Sequence, residues 1–150
     1  MASEFIPAEV MNRKGMELPP KVAEVEKGAI QDFAKAIGDD NPIYYDEEYA
    51  KRSHYGAMIV PPTFLVKLTI GLAKHYKWDF GRVGIHGGEE YEYLKPIKAG
   101  DAITSRTKIE DIYEKDGKKG KMAFMVLRSD LENQHGEIVA RIKRTRISME

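Results

Sequence analysis

The stretch PPTFLVKLTIGLAKHY (Pro61–Tyr76) constrains this chain more than any other part of it. At helical spacing, Phe64, Leu65, Leu68, Leu72 and Tyr76 form one stripe, while Val66, Ile70 and Ala73 fill other faces. Polar positions are few: Thr63, Lys67, Thr69 and Lys74. A helix that is apolar nearly all round belongs inside a protein, and Pro61-Pro62 is a suitable place to start one. Whatever else the chain forms must therefore wrap around this segment.

The C-terminal half supplies the wrapping. EEYEYL (Glu89–Leu94) alternates as a strand does, and Pro96 with Gly100-Asp101 marks a turn. Residues 102–113 follow as a strand, EKDGKKG is expected as a hairpin loop, and 121–131 is the next strand. ENQHG turns the chain once more, and 137–148 closes it. One buried helix followed by long antiparallel strands suggests an α+β protein in which the sheet curls around the helix, the hot-dog fold, although other helix-on-sheet arrangements satisfy the same pattern. No repeat, low-complexity run or composition break divides residues 1–150, so one domain is expected.

Upstream, residues 1–20 read as an arm ending in Pro19-Pro20, and KVAEV (Lys21–Val25) as a short strand. Ala29, Ile30, Phe33, Ala34 and Ile37 recur at helical spacing, with Gly38 where a helix C-terminus belongs. Asp46 is placed to cap a second short helix that opens on Glu47 and Glu48 and closes on Lys51 and Arg52. The 24 basic and 24 acidic residues balance, giving no global field for nucleic acid or an anionic membrane. There is no cysteine, hence no disulfide, thiolate metal site or cysteine nucleophile. No apolar run reaches membrane-spanning length and no signal-peptide pattern opens the chain, so a cytoplasmic protein is expected.

The chemistry concentrates in FAKAIGDDNPIYYDEEYA (Phe33–Ala50). Taken alone, Gly38-Asp39-Asp40-Asn41-Pro42 is also an ordinary helix stop and turn. In register, however, Gly38, Asp39, Asn41, Pro42 and Ile43, then Asp46 and Ala50, resemble the Gly-Asp-x-Asn-Pro-aliphatic-His signature of the MaoC-like (R)-specific enoyl-CoA hydratases and hydroxyacyl-thioester dehydratases. MIVPPTFLVKL and IHGGEEYEYLKPIKAGD (Ile85–Asp101) extend the resemblance and are similar to the first-subunit type of dehydratase module. In that type two hot-dog units pair, and often only one carries the catalytic residues.

Hydration of an enoyl thioester needs a held water with a base, a proton for the α-carbon, and donors to the enolate-like oxygen. By position the resemblance puts Asp39 at the family's aspartate and Asn41 at its loop-fixing asparagine. Tyr44 stands where the histidine would be. A phenol with an ordinary pKa of about 10 is a poor base at neutral pH. Pro62 stands where the oxyanion-hole glycine would be, and proline has no N–H to give. One lost oxyanion donor costs about two to three orders of magnitude in turnover.

His86, beside Gly87-Gly88 at an expected strand end, is the remaining imidazole for a direct catalytic role, although a histidine beside glycines is commonly structural. Tyr45, Pro62, Thr63 and Phe64 join Asn41 as substrate-contact candidates; Tyr44 and Tyr45 either line an acyl channel or sit at a core edge. Tyr91 and Tyr93 are expected as packing on one sheet face. The basic closing strand RIKRTRIS meets either phosphate groups or only solvent. The acidic cluster around Asp39 lacks the spacing of a calcium loop, so no metal is expected.

The resemblance implies a hot-dog subunit of a 3-hydroxyacyl-thioester dehydratase or enoyl-CoA hydratase. Its acyl thioester is carried on coenzyme A or acyl carrier protein, with no separate cofactor, and a partner supplies the full Asp/His pair. The alternatives are a self-sufficient hydratase using Asp39 with His86 or Tyr44, and a non-catalytic acyl-CoA-binding homodimer. All three imply a homodimer or heterodimer of hot-dog units.

Overall fold

The computed structural model describes residues 5–72, 75 and 78–150. Five strands make one antiparallel sheet: β1 (Lys21–Glu24), β2 (Val83–Tyr93), β3 (Ala102–Gly117), β4 (Gly120–Glu132) and β5 (Ile138–Met149), in spatial order β1-β3-β4-β5-β2. The α-helices lying wholly within the described residues are α1 (Ala8–Met11), α2 (Lys27–Ala36), α3 (Glu47–Arg52) and α4 (Leu65–Thr69). The curled sheet holding α4 in its concave face is the hot-dog arrangement expected from the sequence.

Alternation sets the sheet's two faces. On β3, Ile103, Ser105, Thr107 and Ile109 are buried, and on β4 Ala123, Met125, Leu127, Ser129 and Leu131 join them. Two apolar clusters fill this concave side. The first gathers Leu65 and Leu68 of α4 with Ile30, Ala34, Ile103, Leu131 and Ile142. The second gathers Leu72, Ile109, Ile112 and Met125 with Ile6, Val10 and Leu18 of the arm. Residues 5–20 are thus more than the extended lead-in expected. Gly15 and Leu18 donate N–H bonds to the carbonyls of Ile109 and Thr107, at 2.7 and 2.8 Å, and fasten α1 over the sheet.

The central helix differs from expectation. Pro62–Phe64 form a 3-10 turn that runs into α4, and the α-helix stops at Thr69. Ile70 turns extended and is 66% exposed rather than packed, and Gly71 takes a positive φ of 86°. Polar side chains from the sheet take the helix-end carbonyls: the Ser105 hydroxyl donates to Leu68 O at 3.1 Å, and Lys21 Nζ to Ile70 O at 2.6 Å. A helix whose end groups are met this way has no need of another turn. Ala73, Lys74 and Tyr76, expected on the same helix, lie outside the described residues.

The hairpin also differs. β3 runs to Gly117 and β4 begins at Gly120, so Lys118-Lys119 alone make the turn. A parallel Tyr113–Phe124 stack at 5.0 Å and a Glu114–Lys121 pair at 2.7 Å keep the strands together through the expected loop. β2 begins six residues earlier than the alternating segment and carries a bulge at His86–Gly88. A Cβ at Gly87 would lie 2.8 Å from Ile147 Cδ1, so glycine is what lets the bulge close. Among the described residues, no helix is long and apolar enough to cross a membrane.

Candidate active site

The Gly38–Asp46 loop is built by its own side chains. α2 ends at Ala36, and Gly38 with φ of 72° reverses the chain. The Asn41 N–H donates to Asp39 Oδ1 at 3.0 Å, and Ile43 N–H to Asn41 Oδ1 at 3.1 Å. Asn41 thereby caps the 3-10 turn Pro42–Tyr44. Asp46 caps α3 through Tyr49 N–H at 3.0 Å, as its residue type predicts.

Within the loop the two tyrosines part company. Tyr45 is half-buried and donates its hydroxyl to the Asp39 carbonyl oxygen at 2.6 Å, which holds the turn together. Tyr44 is 6% exposed and belongs to the first apolar cluster with Phe64, Leu65 and Val60. Burial foremost, then the charge of Asp39 and the nearby Tyr55, push its phenol above the ordinary tyrosine value. At neutral pH Tyr44 therefore keeps its proton and can donate a hydrogen bond, but it is no base.

An apolar cavity of 290 Å³ opens between this region and the sheet, lined in part by Tyr55, Ile59, Pro62, Leu65, Tyr93 and Leu94. Val60 N–H donates to Ile97 O at 3.0 Å and Ala99 N–H to Met58 O at 2.9 Å, tying one wall to the other. The Tyr93 hydroxyl donates to the Pro62 carbonyl at 2.9 Å and fixes the start of the 62–69 run. Phe64 is buried edge-to-face on Phe33 at 5.5 Å, while Pro62 and Thr63 stay exposed. Asp39, Asn41, Tyr44 and Tyr45 share one loop, and Pro62, Thr63 and Phe64 one turn. The second group lines the cavity through Pro62; no residue of the first group lines it, and Tyr44 is linked to it only through its electrostatic neighbour Tyr55.

His86 lies apart from both groups. It sits within β2 rather than at a strand end, exposed, opposite Arg146, and does not line the cavity. Three of the closing strand's four cations face carboxylates, and Arg146 faces His86 instead. In register, Arg141, Lys143 and Arg144 oppose Glu92, Glu90 and Glu89, and Arg141 also reaches Asp130 at 3.3 Å. Strand pairing, invisible in RIKRTRIS itself, accounts for that basic run. Tyr91 and Tyr93 stack at 6.1 Å as packing residues do, yet each hydroxyl also has a polar partner, Glu89 and the Pro62 carbonyl. Tyr55, Ile59 and Leu94 went unnoticed in the sequence; the period-two run through Tyr93 was the one signal pointing toward this wall. Among the described residues, no three His, Asp or Glu side chains are grouped to hold a metal ion.

Sheet order and inner helix together define a hot-dog protein. The profile of the FAS1-like, dehydratase domain region matches residues 12–142. A UPF0336 protein of Thermobifida fusca is 36% identical over 126 residues, 80% of each chain. A MaoC-like dehydratase from Rhodospirillum rubrum is 25% identical and superposes with a TM-score of 0.71 over 91% of this chain and 92% of its own. In the C-terminally truncated HadBC complex of Mycobacterium tuberculosis, a 3R-hydroxyacyl-ACP dehydratase, the matching chain is 26% identical with a TM-score of 0.74, over 91% of this chain and 97% of that one. The chain belongs to the FAS1-like dehydratase-region family and resembles the MaoC-like dehydratases in fold and sequence.

Proposed function

We propose that this chain is the acyl-binding subunit of a 3-hydroxyacyl-thioester dehydratase, which also runs as an enoyl-thioester hydratase, in a dimer whose second hot-dog subunit supplies the Asp/His pair. One observation carries the reading. The apolar cavity is walled by Tyr93–Ile97, the direct continuation of β2, and β2 is an edge strand whose outer side pairs with no strand among the described residues. A second subunit docking on that edge would close the cavity and bring its own residues to it.

The local chemistry favours dependence on such a partner. Addition of water to the double bond needs a base, and the histidine position holds a protonated phenol. It needs donors to the thioester oxygen, and Pro62 brings none from its nitrogen. Asp39 contributes a carboxylate, and Tyr44 a donor beside it. The HadBC dehydratase is itself a complex, and its chain resembles this one over nearly its whole length. The reaction moves only water and protons, so no redox cofactor or metal is called for; coenzyme A or a carrier protein belongs to the substrate.

The test is a reconstitution. The chain is assayed for loss of the enoyl-thioester absorbance of crotonyl-CoA and a longer enoyl-CoA, alone and with a hot-dog subunit bearing Gly-Asp-x-Asn-Pro-x-His. Turnover is expected only for the pair. Turnover by the chain alone that vanishes in Asp39→Asn would replace this reading with a self-sufficient hydratase. Saturable acyl-CoA binding by a homodimer, without turnover in any combination, would replace it with a binding protein.

A further inference from the structure

Behind the apolar cavity the concave face changes character. Tyr93, Tyr91 and Glu89 of β2 lie opposite Ala140, Ile142 and Arg144 of β5. Tyr93 and Ala140 line the cavity, and Tyr91 and Ile142 pack in the first apolar cluster. Four residues in from the cavity wall, about 13 Å at strand rise, comes an ion pair between Glu89 and Arg144. Their side chains are only 16% and 17% exposed.

The pair is held from two sides. The Tyr91 hydroxyl donates to Glu89, and Arg144 Nη2 donates to Thr69 Oγ1 at 3.2 Å, where α4 ends. Farther along the concave face Thr107 and Ser129 share a hydrogen bond at 2.6 Å. The polar line runs between the two apolar clusters, and α4 covers only the first of them. An alkyl chain advancing from the cavity along the helix would have to separate a largely buried, hydrogen-bonded pair, which is unfavourable.

We propose, resting on the function inferred above, that Glu89–Arg144 with Tyr91 in front is the end stop of the acyl site, and that the site takes short and medium acyl groups. The run from the cavity wall to the pair, about 13 Å at strand rise, is longer than an extended four-carbon chain and shorter than an extended sixteen-carbon one. Glu89 and Arg144 are specificity residues here and contribute no proton to the chemistry.

The experiment compares four-, eight- and sixteen-carbon enoyl-CoA substrates on the reconstituted pair, with titration of the matching saturated acyl-CoAs as a readout that needs no turnover. The wild type is expected to favour eight carbons over sixteen by at least tenfold in both kcat/KM and affinity. The paired substitution Glu89→Leu/Arg144→Leu should raise the sixteen-to-eight ratio about tenfold. Replacing both partners of a buried pair by apolar groups is commonly tolerated, and Tyr91→Ala provides a second, milder opening with a smaller rise expected. A sixteen-carbon chain handled as well as an eight-carbon one by the wild type overturns the end stop and leaves the dehydratase reading standing. A flat ratio in both variants, each shown folded by its melting curve, overturns it too. Failure to bind or turn over any chain length overturns the dehydratase reading and the end stop together.

Discussion

In the proposed dehydratase reading Tyr44 and Pro62 set what this chain can do alone, and each can be tested by giving back what it lacks. Tyr44→His alone should leave the isolated chain inert, because the thioester oxygen still has no donor at position 62. Tyr44→His/Pro62→Gly should exceed the single variant by about two orders of magnitude in crotonyl-CoA hydration, the usual weight of one oxyanion donor. A double variant no better than the single one would mean that the oxygen is met elsewhere.

Tyr91 makes a prediction in pH. Burial, then the hydrogen bond to Glu89 and its charge, push this phenol from 10.0 to about 12. The folded chain thus holds the proton more tightly than the unfolded one. That stabilisation is complete below pH 10 and fades as pH rises from 10 toward 12. Urea midpoints measured across that window should fall for the wild type and fall less for Tyr91→Phe. Glu89 has the opposite sense. Burial raises its pKa, but the Tyr91 and Arg144 hydrogen bonds and the Arg144 and His86 charges outweigh it and hold the carboxyl below its ordinary value. Its contribution is present above the ordinary carboxylate range and lost as pH drops through the lowered value. At this scale the sequence made the turn legible, since glycine, asparagine and aspartate announce their roles at Gly38, Asn41 and Asp46. It hid the facing of β2. Strict alternation back from Tyr93 would put Ile85 on the inner face, but the bulge at Gly87 shifts the parity and places His86 and Gly84 there instead.

Among the elements, α4 departs farthest from its pattern. Apolar spacing is blind to where a helix ends, because residues past the end can be buried as well, as Leu72 is. The signals that end it sit in other strands, in Ser105 and Lys21, where no reading of Pro61–Tyr76 could find them. Ser105→Ala should leave the Leu68 carbonyl without its partner inside the core. The expected loss is about 1–2 kcal/mol of unfolding free energy, read from urea denaturation at constant slope. An unchanged midpoint would show that the carbonyl finds another donor. The Lys118-Lys119 turn follows the same logic: EKDGKKG looks like a loop by composition, and cross-strand contacts around Tyr113 and Phe124 make strand of most of it.

For the whole molecule, the fold was legible because one apolar helical segment followed by long alternating strands admits few arrangements. The arm was not, since nothing in residues 5–18 shows that Ile6, Val10 and Leu18 seal a second apolar cluster. Assembly is testable at this scale. Ile85 is 41% exposed on β2 and, through its pairing with Ile147, faces away from the core. Ile85→Lys should weaken association with the second subunit at least tenfold in sedimentation or light scattering. Because the side chain is solvent-facing, the chain's own stability should move by no more than about 0.5 kcal/mol.

The same edge has a bearing on how the protein lives in a cell. Val83–Tyr93 offers eleven residues of backbone on a side that no strand of the described residues covers, with apolar side chains such as Val83, Ile85 and Tyr93 open to water. Such an edge will template any strand it meets, and a solitary copy is therefore exposed to aggregation. Production of this chain would have to keep step with production of whatever covers it, and low solubility on solitary expression, relieved by co-expression, would be the earliest sign of the correct companion.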